Sequence, residues 1–223
     1  MPTSQLAESS ASVPAPLVAP AVDGGAARPR RHAHYVAWHL DPGHHGSAPD
    51  ARSTRTRDQR ITWNADRSGE TVVTTPDCVP RHTSYGAGEL TVVFPDAPPA
   101  APLAMGAYLT AGASVDDATD AVQLVDAVAE LLNEWTLPAR HQAAIVLVLA
   151  RMSGITATGA AVDPLGRPGT AYLASSPTDD RFAAVLTVSE DGTRILSVET
   201  VYRGGIRELD LETPVVVRAI AWR

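Results

Sequence analysis

The sequence contains no lysine; all eighteen of its basic residues are arginine. That excludes a Schiff-base lysine, a lysine general base and the lysine of a phosphate-binding loop. Cys78 is the one cysteine, which rules out an intrachain disulfide and a thiolate zinc site. No stretch approaches the ~20 apolar residues of a membrane span. Net charge is −7, and a nucleic-acid partner, which needs a concentrated basic face, is not expected. There is no Gly-x-Ser-x-Gly elbow, His-Glu-x-x-His helix, phosphate loop or dinucleotide fingerprint. The glycine pair in "GAGEL", Gly86–Leu90, lacks the strand–turn–helix setting that would give it meaning. The expectation is a protein without a cofactor or a metal.

What is present describes a globular chain. Its 223 residues are 44% hydrophobic and 19% charged, enough to bury a core in a single domain. Residues 1–31 read as a disordered or loosely packed tail, mixing Ala, Ser and Gly with Pro14, Pro16 and Pro20, and residues 32–223 as one α+β domain. A secretory leader would place its basic residues before an apolar run; here Arg28, Arg30 and Arg31 come after it. The chain is therefore read as cytoplasmic.

"HYVAWHL" from His34 is aromatic and β-branched, the pattern of a strand, and "DPGHHGSAPDARSTRTRDQ" after it reads as an exposed loop. "RITWNADRSGETVVTT" predicts two strands joined at Asp66–Gly69, with Ile61 and Trp63 on one face. "GELTVVFP" predicts another short strand, and "PDAPPAAP" is too rich in proline for a helix or a central strand. Two helices follow. The first opens with Ser114 as N-cap and Asp117 three residues on, and Val122, Val125, Val128, Leu132 and Trp135 form its apolar stripe. Asp116, Asp117 and Asp120 complement the helix dipole there. The second runs from a Thr136 cap through "ARHQAAIVLVLA" to Gly154. It is apolar all round from Ile145 to Ala150 and should be the more buried of the two, with His141 partly exposed in its first turn. The last seventy residues are β again, with turns at Asp163–Gly166 and Asp191–Gly192. Strands, two helices, then strands predict an α+β fold: a curved antiparallel sheet, half-barrel or clamshell-like, with two consecutive helices packed on one face.

Five of the seven histidines fall within Arg31–His45. On a strand, His32, His34, Val36, Trp38 and Leu40 share a face. Two histidines two residues apart stand roughly 7 Å from one another, at about 3.3 Å rise per residue, and can chelate an ion. Cupins use such a pair with a glutamate four or five positions later; here Trp38 and His39 occupy those places, so an ordinary strand is the expectation. A catalytic carboxylate pair such as Glu199 with Glu212 would need distant strands to meet.

The segment from Leu137 to Val201 carries a resemblance. "LPARHQAAIVLVLARMSGITATGAAVDPLGRPGTAYL" and "VLTVSEDGTRILSVETVY" resemble an actinobacterial family of unknown function, known only by a locus-tag name. The matching residues are Leu137, Pro138, Arg140, Leu149, Ala150, Gly154, Asp163, Gly166, Arg167, Gly169, Gly192 and Leu196. "YVAW", "ITWNADRSG" and "YGAGELTVVFP" extend the likeness upstream, over about residues 35–205. The resemblance implies a sensor-like domain, usually anchored by a transmembrane helix, of which this chain looks like a soluble version. By fold analogy it also implies a clamshell around an apolar cavity.

Two functions are expected from this. One is binding of a hydrophobic small molecule, with a cofactor-independent cyclase activity in natural-product biosynthesis as its catalytic form. Tyr35, Trp38, Trp63, Tyr85, Tyr172, Tyr202 and Trp222 are the candidate cavity-lining residues, since rings with a polar tip both pack and donate. Core packing is the plainer role for each. The other is a regulatory or sensor-type interaction domain without catalysis, which a concave face filled by Ile145, Leu149 and Met152 would favour. A homodimer is the assembly left open.

Overall fold

Asp66 accepts hydrogen bonds from the Ser68 amide and hydroxyl at 2.9 and 2.7 Å. The chain thereby reverses, so that Trp63 faces Gly69 across an antiparallel pair. Local turns of this kind build most of the sheet. The computed structural model describes residues 28–41, 53–113, 115, 119–206 and 211–223. The strands are β1 (His32–Asp41), β2 (Ser53–Trp63), β3 (Gly69–Thr74), β4 (Arg81–Tyr85), β5 (Ile155–Val162), β6 (Pro168–Ser175), β7 (Phe182–Ser189), β8 (Ile195–Tyr202) and β9 (Val215–Trp222). Three helices, α1 (Pro102–Gly112), α2 (Ala121–Glu134) and α3 (Ala139–Leu149), separate β4 from β5. The result is an α+β fold with one curved, open antiparallel sheet of nine strands in the order β4-β3-β2-β1-β9-β8-β7-β6-β5.

The last strand closes the centre. β9 pairs with β1, Tyr35 opposite Trp222, and with β8, Val198 opposite Ile220. It thus welds the first four strands to the later ones. Ala37, Ile220, Val198, Leu186 and Tyr172 stand opposite one another in turn, and all five belong to the buried core. That row runs across five strands, and α2 lies over this face, touching β1, β2, β6, β7 and β9. α1 and α3 pack on each other and on α2.

The elements differ from the sequence expectation in six places. Residues 53–59 belong to β2, not to a loop; pairing with β1, Asp58 opposite Val36 and Ser53 opposite Asp41, outweighs their polarity. The histidine-rich remainder of that stretch, including His44 and His45, lies outside the described residues. "GELTVVFP" forms no strand, and the partner of β3 is Arg81–Tyr85 instead. Glu134 takes up the amides of Val93 and Phe94, at 2.6 and 2.9 Å, that a neighbouring strand would otherwise bond. Helix α1 was not expected at all. Pro102 opens it, and only Met105 and Leu109 are buried, so it shows no amphipathic stripe.

The long helix begins at Ala121, where Asp120 is the N-cap and accepts from the amides of Val122 and Gln123. Ser114, Asp116 and Asp117 lie outside the described residues. Thr136 does not cap α3; it bridges Arg30 backbone to backbone and donates its hydroxyl to the His32 carbonyl at 2.8 Å. Finally, α2 is the more enclosed helix, buried from Leu124 through Glu134 save for Asp126 and Glu130. Leu147, Val148 and Ala150 of α3 keep some exposure, because α3 sits in the outer layer.

Candidate functional site

The Asp163–Arg167 turn is a structural staple. Gly166 at φ +82° lets the chain turn tightly. The Asp163 carboxylate, fully buried, accepts from the amides of Leu165 and Arg167 and from the Arg167 guanidinium at 2.9 and 2.5 Å. The same guanidinium donates to the carbonyls of Trp222 on β9 and Leu196 on β8 at 2.7 and 3.0 Å. A side chain at Gly154 would come within 2.7 Å of the Ser175 carbonyl, so the glycine lets the backbones approach.

A second hub sits at the end of α2. The Trp222 indole donates to Asn133 at 3.0 Å, Trp63 to the Glu134 carbonyl at 3.0 Å and Trp135 to the Phe94 carbonyl at 2.8 Å. Burial pushes the Glu134 carboxyl up, while its two amide donors pull it down. These contacts hold the helix layer to the sheet; they contain no exposed reactive group.

The seven aromatic candidates do not converge on one cavity. Tyr35, Trp63, Tyr172 and Trp222 lie in the core under α2, and Tyr85 packs against its edge. Burial, with Glu130 nearby, pushes the Tyr35 phenol up to about 12. Trp38 is half-buried on the opposite face of β1, as the strand alternation requires. Tyr202 is buried against Phe182, its hydroxyl donating to the Ile206 carbonyl and accepting from the Ile206 amide. Glu199 is buried on β8 opposite Ala219, and Glu212 is exposed beyond the end of that ladder, so the two are not paired.

The histidines are dispersed too. His34 meets Asp58 of β2 at 2.9 Å and Arg60 at 3.4 Å, while His39 contacts Arg57 at 3.2 Å. The carboxylate beside His34 comes from the neighbouring strand, where along-chain spacing does not reveal it. Burial, then Arg57, lowers the proton affinity of His39. No group of three His, Cys, Asp or Glu residues suited to a metal occurs among the described residues.

The structure offers instead an apolar groove at the C-terminal end of α3, of about 600 Å³. One wall is α1, through Leu103, Gly106, Ala107 and Ala111; Leu124 forms the floor, and Val148 and Met152 the other wall. Small side chains on α1 make the space, since α1 and α3 pack closely enough that a methyl at Gly106 would touch Val148 at 3.7 Å. The polar groups of the lining are Thr110, whose hydroxyl donates to the Gly106 carbonyl at 3.0 Å, and the exposed Arg151. No signal in the sequence marked this groove, because α1 was not recognisable as a helix.

Comparison with known proteins adds little. No family model matches the chain, and no curated protein does. Two solved structures are similar over 86% of the chain. One is MucB in complex with MucA(peri), at 11% identity and a TM-score of 0.36; the other is the Pseudomonas aeruginosa MucA/MucB complex, at 13% and 0.35. The chain covers 49% and 50% of those chains, about half their length. No described helix is long and apolar enough to cross a membrane.

Proposed function

We propose that this protein binds a hydrophobic small molecule in the groove between α1 and α3. The observation that carries the reading is the groove itself: about 600 Å³, walled by Leu103, Ala107, Val148 and Met152, and open to solvent beside a single arginine. Small-molecule sites span roughly 300–1,000 Å³ and pair an apolar lining with a few placed polar groups. An apolar chain with an anionic head fits, the chain along α1 and the head beside Arg151. The curved sheet with α2 across it supports the half-barrel reading, with the ligand outside the filled hollow.

Binding is better supported than catalysis. The groove lining holds no Asp, Glu, His or Tyr, so a cyclase working here would rely on positioning and desolvation alone. Ile145 and Leu149, on the inner side of α3, are fully buried. That favours a second reading, a non-catalytic interaction domain whose groove takes an apolar side chain of a partner protein.

The test is displacement of a fluorescent apolar probe by saturated fatty acids, with wild type and the Ala107→Trp variant. Ala107 is exposed, so the indole fills the groove without entering the core. The expected result is saturable one-to-one binding that weakens at least tenfold in the variant. Absence of saturable binding, or equal affinity in both proteins, overturns the small-molecule reading and leaves the interaction domain.

A further inference from the structure

At the other end of α3 lies a cleft of about 800 Å³, bordered by residues 28–32, the end of β2, residues 97–100 and the first turn of α3. Its lining is cationic. Arg28, Arg31, Arg140, His32 and His141 converge there from two separate segments, and no Asp or Glu is among the lining residues. In a chain of net charge −7, that is a local reversal of sign.

Two of these side chains are held in place with donor or acceptor capacity unused. The Arg31 guanidinium lies 5.6 and 5.7 Å from the ring centres of Trp63 and Trp135, which meet edge to face at 5.2 Å. Cation–π contact with both rings orients it, yet its buried Nε has no hydrogen-bond partner. His141 is 2% exposed, and its Nδ1 likewise has none. The segment presenting Arg31 is fixed by backbone bonds from Arg30 to Thr136 and from Trp63 to the Arg31 carbonyl.

Helix α3 departs from the usual pattern in the same place. Its N-cap is Pro138, which supplies no side-chain cap, and its first turn carries no acidic residue. Arg140 stands there instead, a positive charge at the positive end of the helix dipole, where an anion is the favoured neighbour. Burial, then Arg140, lowers the proton affinity of His141, against a hydrogen bond to the Pro98 carbonyl that raises it. The unbonded Arg31 Nε is a cost in the protein alone, and an oxyanion in the cleft offsets it.

We propose that this cleft is a second site, separate from the groove, that binds the phosphate group of a phosphorylated small molecule. Guanidinium groups suit a phosphate because their planar forks donate two parallel hydrogen bonds. A dianion answers several cations better than one carboxylate does. The Trp63 and Trp135 rings hold Arg31 ready rather than stacking on the ligand, since both are buried.

The experiment is calorimetric titration of the full chain with inorganic phosphate, pyrophosphate and glycerol 3-phosphate, at constant ionic strength set with chloride. The expected result is one-to-one binding of at least one of them, weakened tenfold or more by Arg28→Gln and by Arg31→Gln. Arg28 is exposed, so its variant keeps the test valid if Arg31→Gln disturbs the tryptophan pair. Tighter binding of the ester than of inorganic phosphate identifies an organic ligand; equal affinity identifies free phosphate. No saturable heat with any of the three overturns the proposal. So does an equal loss in Arg81→Gln, on the far sheet edge, which would mean that net charge alone is read.

Discussion

Two arginines of the molecule are used in contrasting ways. Arg167, in the β5–β6 turn, finds acceptors in Asp163, Trp222 and Leu196. Arg31, beside α3, leans on two indoles and leaves a buried Nε unbonded. The first sits in a turn that its Asp-to-Gly spacing marks in the sequence, the second in no such pattern. A recognisable motif here marks a piece of architecture, whereas the side chains that look outward for a partner carry no signature. Satisfied polar groups hold a fold together; unsatisfied ones in a cleft point to what it binds.

The largest effect should come from breaking the satisfied corner. Asp163→Ala strands the Arg167 guanidinium, 29% exposed, among buried carbonyls. Loss of one partner of such a pair costs about 3–5 kcal/mol. Thermal melting of this variant should fall by roughly 6–20 °C, at about 2–4 °C per kcal/mol for a chain of this size, and phosphate should not restore it.

The Glu134→Ala variant comes next. It leaves the part-buried amide of Val93 and the buried amide of Phe94 without their acceptor, at a cost of about 2–3 kcal/mol, measurable by urea unfolding. Arg31→Gln should cost about 1 kcal/mol or less, because cation–π contacts near a surface contribute about 0.5–1 kcal/mol and a partnerless buried donor is removed with them. A loss as large as that of Asp163→Ala would erase the contrast and make Arg31 a second staple.

The smallest effect is a pH slope. His141 holds its proton less readily in the folded chain than the ordinary imidazole value of 6.5, chiefly through burial, with Arg140 adding repulsion. The unfolded chain therefore binds the proton first as pH falls. Folding stability should drop as pH falls below about 6.5 toward the depressed folded value, by at most about 1.4 kcal/mol per pH unit. Above that window His141 contributes no slope. His141→Gln should flatten the drop without abolishing it, since His39 is shifted in the same direction. Arg28, Arg31, Arg140 and His32 border the same cleft, so phosphate in the buffer should also flatten it.

Much of the sheet was legible because its information is local. The turns at Asp66–Gly69, Asp163–Gly166 and Asp191–Gly192 rest on side chains that bond amides two or four residues away. The common face of Ile61 and Trp63 follows from strand alternation alone. The central position of β9 was not legible, since nothing in "VVVRAIAW" says that its neighbours are β1 and β8. Helix α1 escaped because its apolar residues circle it without a stripe, and the groove went unnoticed with it. His141 reads as a polar residue in a helical first turn, yet the segment 97–100 and the chain around Arg31 close over it. A cleft gathered from residues 28–32, 62–63, 97–100 and 135–141 has no spacing that a sequence could display.

The most direct test of the account is an amide NMR titration of the isotopically labelled chain with dodecanoate. The account predicts saturable one-to-one shifts clustered at Leu103, Gly106, Ala107, Ala111, Val148 and Met152, with the Asp163–Arg167 turn unmoved. Shifts that never saturate, or that fall outside α1 and the end of α3, would contradict it.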